Sequence, residues 1–167
     1  MRIMGLDLSI TATGVCLPDL TTYTIKTKAV DRDARTTVIR DRIAEELWGV
    51  DLVILEDFPA RLQAAAAKAI GITHGSVRQL LMDFGVPYVV VPPSSLKFYA
   101  TGFGNADKAA LILAAYKRGD REFRDDNQCD AWWLALAGRD RTGDPLFPLP
   151  QVQRNCLDKL DWSPIPA

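Results

Sequence analysis

The feature that most limits how this chain can fold is a short, almost entirely apolar run at residues 51–55 (DLVIL), which leads into Glu56. A strand with one face in water alternates apolar and polar residues, whereas a strand covered on both faces is apolar throughout. A second apolar run at 86–91 is closed by two prolines, which cannot donate to a sheet ladder. The two runs therefore predict central strands of a sheet that has helices on both faces.

The remaining patterns add further strands and several helices. Strand patterns occur at 2–9, 13–17 and 21–28. Helical spacing occurs at 33–48, 60–84, 105–117 and 125–137. The turn residues Pro18 and Asp19 favour an antiparallel meander among the first strands. Strands that come first as a meander and then alternate with helices predict an α/β domain with a mixed five-stranded sheet.

Composition and charge limit the class of protein. The 167 residues are 48% hydrophobic and 25% charged, which suits one folded domain. Lys and Arg total 20 and Asp and Glu total 21, so the net charge of −1 argues against a generally basic nucleic-acid coat and leaves room for a local basic face. We expect a main domain at 1–138 and a proline-rich tail at 139–167 that packs on the domain or extends from it.

The cysteines and the longest apolar segments bear on the compartment. Cys16, Cys129 and Cys156 are odd in number and show no CxxC spacing, which argues against a disulfide framework and a structural zinc site. No apolar stretch of the sequence approaches the roughly 20 residues of a membrane helix. We therefore expect a cytoplasmic protein in a reducing compartment.

Acidic residues lie where strands end and where the last predicted helix begins. Asp7 comes near the end of the first strand, Glu56 ends the fourth, and Asp126 and Asp130 are i, i+4 neighbours on one helix face. Clustered carboxylates repel one another unless a cation lies among them. Hard divalent cations take carboxylate oxygens, so the pattern predicts a Mg²⁺ or Mn²⁺ site suited to phosphodiester hydrolysis. Singly, each acid is also explained as a solvated turn residue or, for Asp126, as a helix cap.

Four segments carry a resemblance to a known family. They are GLDLS at 5–9, LED at 55–57, PSSLKFYATGFGNADKAAL at 93–111 and DNQCDAWWLALA at 126–137. In this order and spacing they resemble the RuvC-type Holliday-junction resolvases of the ribonuclease H-like superfamily. The resemblance runs from residue 2 to residue 138 and implies a ribonuclease H-like mixed sheet flanked by helices.

The resemblance implies metal ligands and a mechanism. Asp7, Glu56 and Asp130 would bind two Mg²⁺ (or Mn²⁺) ions, one to activate water and the other to stabilise the departing 3′ oxygen. The family's fourth acid lies three residues before the last one, where this chain has Asn127. Either the amide oxygen of Asn127 or the carboxylate of Asp126 supplies that ligand. We favour Asp126, because a second helix carboxylate restores the charge of the site.

The resemblance also implies DNA contacts. Lys108, at a helix start after the glycine-bearing loop 101–104, is predicted to act catalytically at the scissile phosphate. Phe58, shortly after Glu56, is predicted to stack on bases at the branch point. Backbone contacts are predicted for Arg61, Lys68, Lys97, and Lys117 or Arg118. The alternatives are solvated surface charges and, for Phe58, a core position, and the lone His74 is more simply a packed histidine.

These observations predict a Mg²⁺-dependent, structure-specific endonuclease that cuts four-way DNA junctions by paired phosphodiester hydrolysis. The resemblance implies a homodimer joined partly through the Ala-rich helix at 60–84, whose small residues otherwise favour tight packing on the domain's own sheet. An actin-like ATPase or sugar kinase shares the Gly-x-Asp strand and is excluded by the length of the chain. A non-catalytic binding module, or an enzyme for other branched DNA or RNA, is the alternative. The short chain and low positive charge favour a bacteriophage version, and nothing in the sequence indicates a helicase partner.

Overall fold

The computed structural model describes residues 1–28, 32–58 and 63–165. The strands are β1 (Ile3–Asp7), β2 (Ala12–Cys16), β3 (Thr22–Lys26), β4 (Leu52–Glu56) and β5 (Tyr88–Val91). The helices are α1 (Arg32–Glu46), α2 (Ala64–Asp83), α3 (Pro93–Thr101), α4 (Lys108–Gly119), α5 (Asp126–Arg141) and α6 (Gln151–Arg154), and a 3₁₀ helix follows at Asn155–Lys159. None of the helices in these three stretches is long and apolar enough to cross a membrane.

The five described strands form one sheet in the order β3-β2-β1-β4-β5. β2 pairs antiparallel with both β1 and β3, whereas β4 runs parallel to both β1 and β5. The mixed five-stranded α/β sheet predicted from the sequence is therefore confirmed. Because β1 and β4 are parallel neighbours, their carboxyl ends meet at one edge of the sheet, which is where ligands bind in many α/β folds.

The apolar run at 51–55 forms β4, which is buried on both faces as its composition predicts. Leu52 and Ile54 face one core and Val53 and Leu55 face the other, because successive side chains of a strand point to opposite faces. The first core lies between the sheet and α3, α4, α5 and the C-terminal segment, which we define as residues 142–165. The second core lies between the sheet and α1 and α2.

Helix α5 lies directly on β1 and β2, with glycines at the crossing points. A Cβ added to Gly5 would lie 2.0 Å from the backbone oxygen of Ala131, and one added to Gly14 would lie 2.0 Å from that of Asn127. These separations are far inside van der Waals contact, so only glycine fits at the two positions. The tryptophans at 132 and 133 are both buried in the core between this helix and the sheet.

Two parts of the chain differ from the sequence-based expectation. Residues 93–101, for which no element is predicted, form helix α3, with proline in its first turn and Gly102 (φ +84°) as its C-cap. Helix α5 continues to Arg141, past the predicted domain boundary at 138. The C-terminal segment then packs on the first core through the buried Leu149 and Leu157, so the proline-rich part of the chain lies against the domain.

The close approach of α5 can be tested by adding one methyl group. Gly5→Ala should lower the free energy of unfolding by about 1–3 kcal/mol, because the helix must move away from β1. The matched control is Gly75→Ala on α2, where an added Cβ meets no described residue within 4 Å. In the monomeric protein it should raise the free energy of unfolding by roughly 0.5–1 kcal/mol, since alanine is the better helix former. Urea unfolding followed by circular dichroism measures both, and equal effects would contradict the glycine-dependent contact.

Candidate active site

Strand geometry brings two of the predicted acids to one point on the sheet. Asp7 shares a strand face with Ile3, and Glu56 shares a strand face with Ile54, because alternate residues of a strand point the same way. These residues all point to the same face of the sheet, which α5 covers. The parallel register of β1 and β4 then places the two carboxylates side by side where these strands end.

Helix α5 supplies the third acid. The helix begins after its N-cap Asp125, whose side chain accepts a hydrogen bond from the backbone N–H of Gln128. Asp130 follows in the second turn and faces the strand ends. Carboxylate oxygens of Asp7, Glu56 and Asp130 all lie within 4.8 Å of one another. The structure thus brings together three acids that are far apart in the sequence.

The cluster holds its acids toward the protonated form. Burial, followed by the charge of Asp7, raises the pKa of Asp130 to about 7. Burial is also the main cause that raises the pKa of Asp7 and of Glu56, and these two carboxyl groups share a hydrogen bond. A positive ion among the oxygens favours the ionised forms, so the cluster is a candidate site for a divalent cation.

Two lysines line the same pocket as the three acids. Lys97 comes from α3, and Lys108 is the first residue of α4, whose N-cap Asp107 accepts from the backbone N–H of Ala110. The charges of both lysines lower the pKa of Asp130 and so oppose the effect of burial. The sequence predicts Lys97 as a general phosphate contact, whereas the structure places it in the pocket with Lys108.

The two candidates for a fourth ligand lie differently. Asn127 lines the pocket of the three acids. The carboxylate of Asp126 forms an ion pair with Lys108 and is not part of the acid cluster. Asn127 lies three residues and Asp126 four residues before Asp130, so both are close to it on the helix surface. The two differ because Lys108 of the neighbouring helix pairs with Asp126. This geometry does not support the preference for Asp126 over Asn127.

Phe58 lies at the rim of the pocket with its side chain 37% exposed. Its ring meets the imidazole of His74 edge to face, with 5.3 Å between the ring centroids. His74 is buried on α2, and burial lowers its pKa to about 4, so the imidazole is neutral and packed, as the sequence predicts. The preceding Asp57 donates its backbone N–H to Val91 and lies 3.8 Å from the guanidinium of Arg78. One side of the Phe58 ring therefore packs against His74, and the ring remains partly exposed to solvent.

The other predicted DNA contacts that lie among the described residues do not line the pocket. Lys68 is exposed on α2, and Lys117 and Arg118 are exposed near the end of α4. At 1.5 Å of rise per residue, the end of α4 lies roughly 15 Å along the helix axis from Lys108. Arg118 donates to the C-terminal segment instead. Arg61 lies outside the described residues.

No element is predicted for residues 93–101, so the sequence indicates Lys97 only as a general phosphate contact and not as a residue of the pocket. The signals were present: proline at 93 suits a first helical turn, glycine at 102 suits a C-cap, and the buried Leu96, Tyr99 and Ala100 have helical spacing. A helix in this position turns a segment that follows β5 back toward the edge of the sheet. Lys97 then comes from a packed element rather than from a loop.

Comparison with known proteins gives two relatives by sequence. The crossover junction endodeoxyribonuclease RuvC of Synechococcus sp. (strain WH7803) is 32% identical over 93 residues, which are 54% of this chain and 60% of that protein, less than two thirds of its length. The protein of the same description in Parasynechococcus marenigrum (strain WH8102) is 28% identical over 154 residues, 83% of this chain and 97% of that protein. No protein-family model matches the chain.

Solved structures of Thermus thermophilus RuvC share the fold. One has a TM-score of 0.70 at 24% identity and covers 89% of this chain and 100% of that chain. Another, in complex with a Holliday junction substrate, has a TM-score of 0.69 at 24% identity and covers 89% and 99%. This chain thus has their fold, the ribonuclease H-like mixed sheet flanked by helices that the resemblance implies. The chain is similar to RuvC proteins in both sequence and fold, in agreement with the resemblance drawn from the sequence.

Removal of one clustered acid should stabilise the metal-free protein. The pKa of Asp130 is raised from 3.8 to about 7, so the folded protein keeps a proton that the unfolded chain releases, and stability falls as the pH rises between these values. Asp130→Asn should raise Tm in EDTA at about pH 8 by a few degrees, since about 1 kcal/mol corresponds to ~2–4 °C in a domain of this size. Glu122→Gln, which removes an exposed charge, should leave Tm unchanged. Scanning calorimetry measures both, and a lower Tm for Asp130→Asn would contradict the pKa assignment.

The same calorimetry identifies the metal ligands. Saturating Mg²⁺ should raise the Tm of the wild-type protein by binding the folded state, and Asp130→Asn should lose most of that rise. Asn127→Ala should reduce the rise, whereas Asp126→Ala should preserve it. The opposite result for the last two variants would make Asp126 the ligand and would mean that its ion pair with Lys108 opens when the metal binds.

Proposed function

We propose that this protein is a metal-dependent endonuclease that cuts four-way DNA junctions by paired phosphodiester hydrolysis. The observation that carries the proposal is the cluster of Asp7, Glu56 and Asp130 in a pocket that Lys97 and Lys108 also line. Acids that can hold divalent ions, next to cations that can hold a phosphate, are the parts that phosphodiester hydrolysis needs. The names of the similar RuvC proteins, and the RuvC structure that contains a Holliday junction, support four-way DNA as the substrate.

The donor set fits a hard divalent cation, Mg²⁺ or Mn²⁺. The three carboxylates offer only oxygen, and burial favours their neutral forms, so a bound positive charge is strongly favoured among them. The amide oxygen of Asn127 is a fourth donor in the wall of the pocket. Two ions bound by these residues would supply the activated water and stabilise the departing 3′ oxygen.

The two lysines bind the scissile phosphate in this proposal. Lys97 and Lys108 reach the pocket from different helices, so a phosphate over the acids meets two positive charges. Fixed cations stabilise the negative charge that grows on the phosphate oxygens in the transition state. The ion pair between Lys108 and Asp126 keeps this lysine beside the pocket, and a DNA phosphate takes the place of the carboxylate.

Phe58 favours branched DNA over continuous duplex. Stacking of a base on an exposed aromatic ring is worth roughly 1–3 kcal/mol, but bases inside a duplex are already stacked on their neighbours. Bases at a crossover point are easier to open, so a half-exposed ring at the rim of the pocket selects that substrate. Lys68, exposed on α2, is proposed to contact the DNA backbone away from the cut.

A homodimer would supply two such sites for two strands of one junction. Added Cβ atoms at Gly71 and Gly75 of α2 meet nothing in the described part of the chain within 4 Å, so packing among those residues does not require these glycines. Ile72, which lies between them, is 44% exposed. These features support α2 as the face on which a second copy docks, in place of the alternative that its small residues all pack on the domain's own sheet.

The central test is cleavage of defined DNA forms. The purified protein should cut a labelled four-way junction in Mg²⁺ and not in EDTA, and should cut linear duplex, flap and RNA–DNA hybrid more slowly. Glu56→Gln should abolish cleavage because a ligand is lost, and should keep or strengthen junction binding because a negative charge is removed from the DNA-facing pocket. Glu122→Gln changes the charge equally at an exposed position and should cut like the wild type. Single-turnover cleavage on denaturing gels, with binding measured in Ca²⁺, gives both quantities.

Two results would contradict this function. Junction binding without cutting in any divalent metal would mean that the protein is a non-catalytic binding module. Faster cutting of the flap or of the RNA–DNA hybrid would mean that it is a nuclease with a different preferred substrate.

The lysines should differ according to their distance from the acids. Lys97→Ala and Lys108→Ala should each lower the saturated single-turnover rate by roughly 10²-fold, the usual order for a lost transition-state contact. Lys68→Ala is the matched control: it should weaken junction and duplex binding alike and reduce the salt dependence of binding by about one contact. The measurements are cleavage at saturating protein and binding across a salt series. A Lys97→Ala variant with a normal saturated rate and weaker binding would return Lys97 to the role of a backbone contact.

A further inference from the structure

We propose that Gln153 is a positioning residue for Lys97. Through Gln153, the C-terminal segment determines the position of this lysine relative to the acid cluster. The inference rests on the proposed function in one respect, the role of Lys97 at the scissile phosphate. Its own support is a set of hydrogen bonds between the segment and helix α3.

Gln153 is buried and caps the end of α3. Its side-chain amide donates to the backbone oxygen of Tyr99 at 2.8 Å. The last carbonyls of a helix lack partners within the helix, so this bond satisfies an oxygen that α3 itself leaves open. The side-chain oxygen of Gln153 accepts from Arg118 of α4 at 3.4 Å. One side chain therefore contacts both of the helices that carry the pocket lysines.

Further contacts fasten α3 to the C-terminal segment and to α5. The thiol of Cys156 donates to the backbone oxygen of Ser95 at 3.5 Å. The hydroxyl of Tyr99 donates to Asp140 at 3.2 Å, and Arg154 donates to the same carboxylate at 2.7 Å. Asp140 is only 4% exposed, so these donors compensate a charge that is otherwise costly to bury.

Lys97 lies between the anchored positions. The segment holds the carbonyl of Ser95, two residues before the lysine, and that of Tyr99, two residues after it. Helix α3 has 9 residues, and helices this short depend on tertiary contacts for their stability. Release of one end therefore lets Lys97 move relative to the acids, and a displacement of about 1 Å at a catalytic group can cost as much as 10²-fold in rate.

A double-mutant cycle separates positioning from general stabilisation. Gln153→Leu keeps a similar side-chain volume and cannot donate to Tyr99. It should lower the saturated single-turnover rate of junction cleavage about tenfold and leave junction binding in Ca²⁺ within about twofold of the wild type. In a Lys97→Ala background the same change should alter the rate by less than about twofold, because the lysine that Gln153 positions is absent.

Trp162→Phe is the matched control within the C-terminal segment. The Trp162 indole N–H donates to the backbone oxygen of Leu157, so the variant weakens the segment without removing a bond to α3. With the folded fraction measured by circular dichroism, it should cut at the wild-type rate. The proposal is wrong if Trp162→Phe slows cleavage as much as Gln153→Leu does. It is equally wrong if Gln153→Leu slows the Lys97→Ala protein as much as it slows the wild type.

Hydrogen exchange tests the positioning without reference to cleavage. Gln153→Leu should speed the exchange of backbone amides in α3 and leave those of α2 unchanged, because α3 loses the bond to Tyr99 whereas the bonds described for Gln153 do not involve α2. A wild-type protein that cuts no DNA would overturn the proposed function, and exchange would still report on the bond to α3. Unchanged exchange in α3 would overturn the positioning role even in an active nuclease.

Discussion

Direct contact between the backbone of α5 and the strands beneath it is the constraint on which the rest of the structure depends. At Gly5 and Gly14 the helix meets β1 and β2 with no side chain between them. Ala131, which meets Gly5, directly follows Asp130. The helix therefore contacts the sheet next to the acid that joins Asp7 and Glu56. The distance of 4.8 Å or less among the three carboxylates is a consequence of this approach. A helix held off by one methyl group would carry its acid away from the other two.

Electrostatic repulsion in the cluster links stability to ligand binding. Without a cation, burial raises the pKa values of Asp7, Glu56 and Asp130, the charge of Asp7 adds to the effect at Glu56 and Asp130, and ionisation of these groups opposes folding. The lysines at 97 and 108 offset part of this cost from outside the cluster. A divalent ion would recover the remainder, so the free energy that weakens the metal-free fold contributes to metal affinity.

The sheet and its acids could be predicted from the sequence because they depend on local patterns: an apolar run buried on two faces, and carboxylates where strands end. The details that could not be predicted depend on contacts between distant elements. Asn127, rather than Asp126, lines the pocket because Lys108 from another helix pairs with Asp126. Lys97 reaches the pocket on a helix whose end is capped by Gln153, more than fifty positions along the chain. Sequence spacing carries no record of such partners.

The distribution of the three acids along the chain also determines when the site can exist during synthesis. Residue 130 is made 123 residues after Asp7, an interval of roughly 6–25 s at about 5–20 residues per second. Until then the nascent chain lacks the carboxylate that α5 carries, and Gln153 is made later still. A ribosome that stalls before α5 therefore releases a polypeptide without the complete ligand set. For a protein proposed to cut DNA, the order of its residues keeps unfinished copies inert.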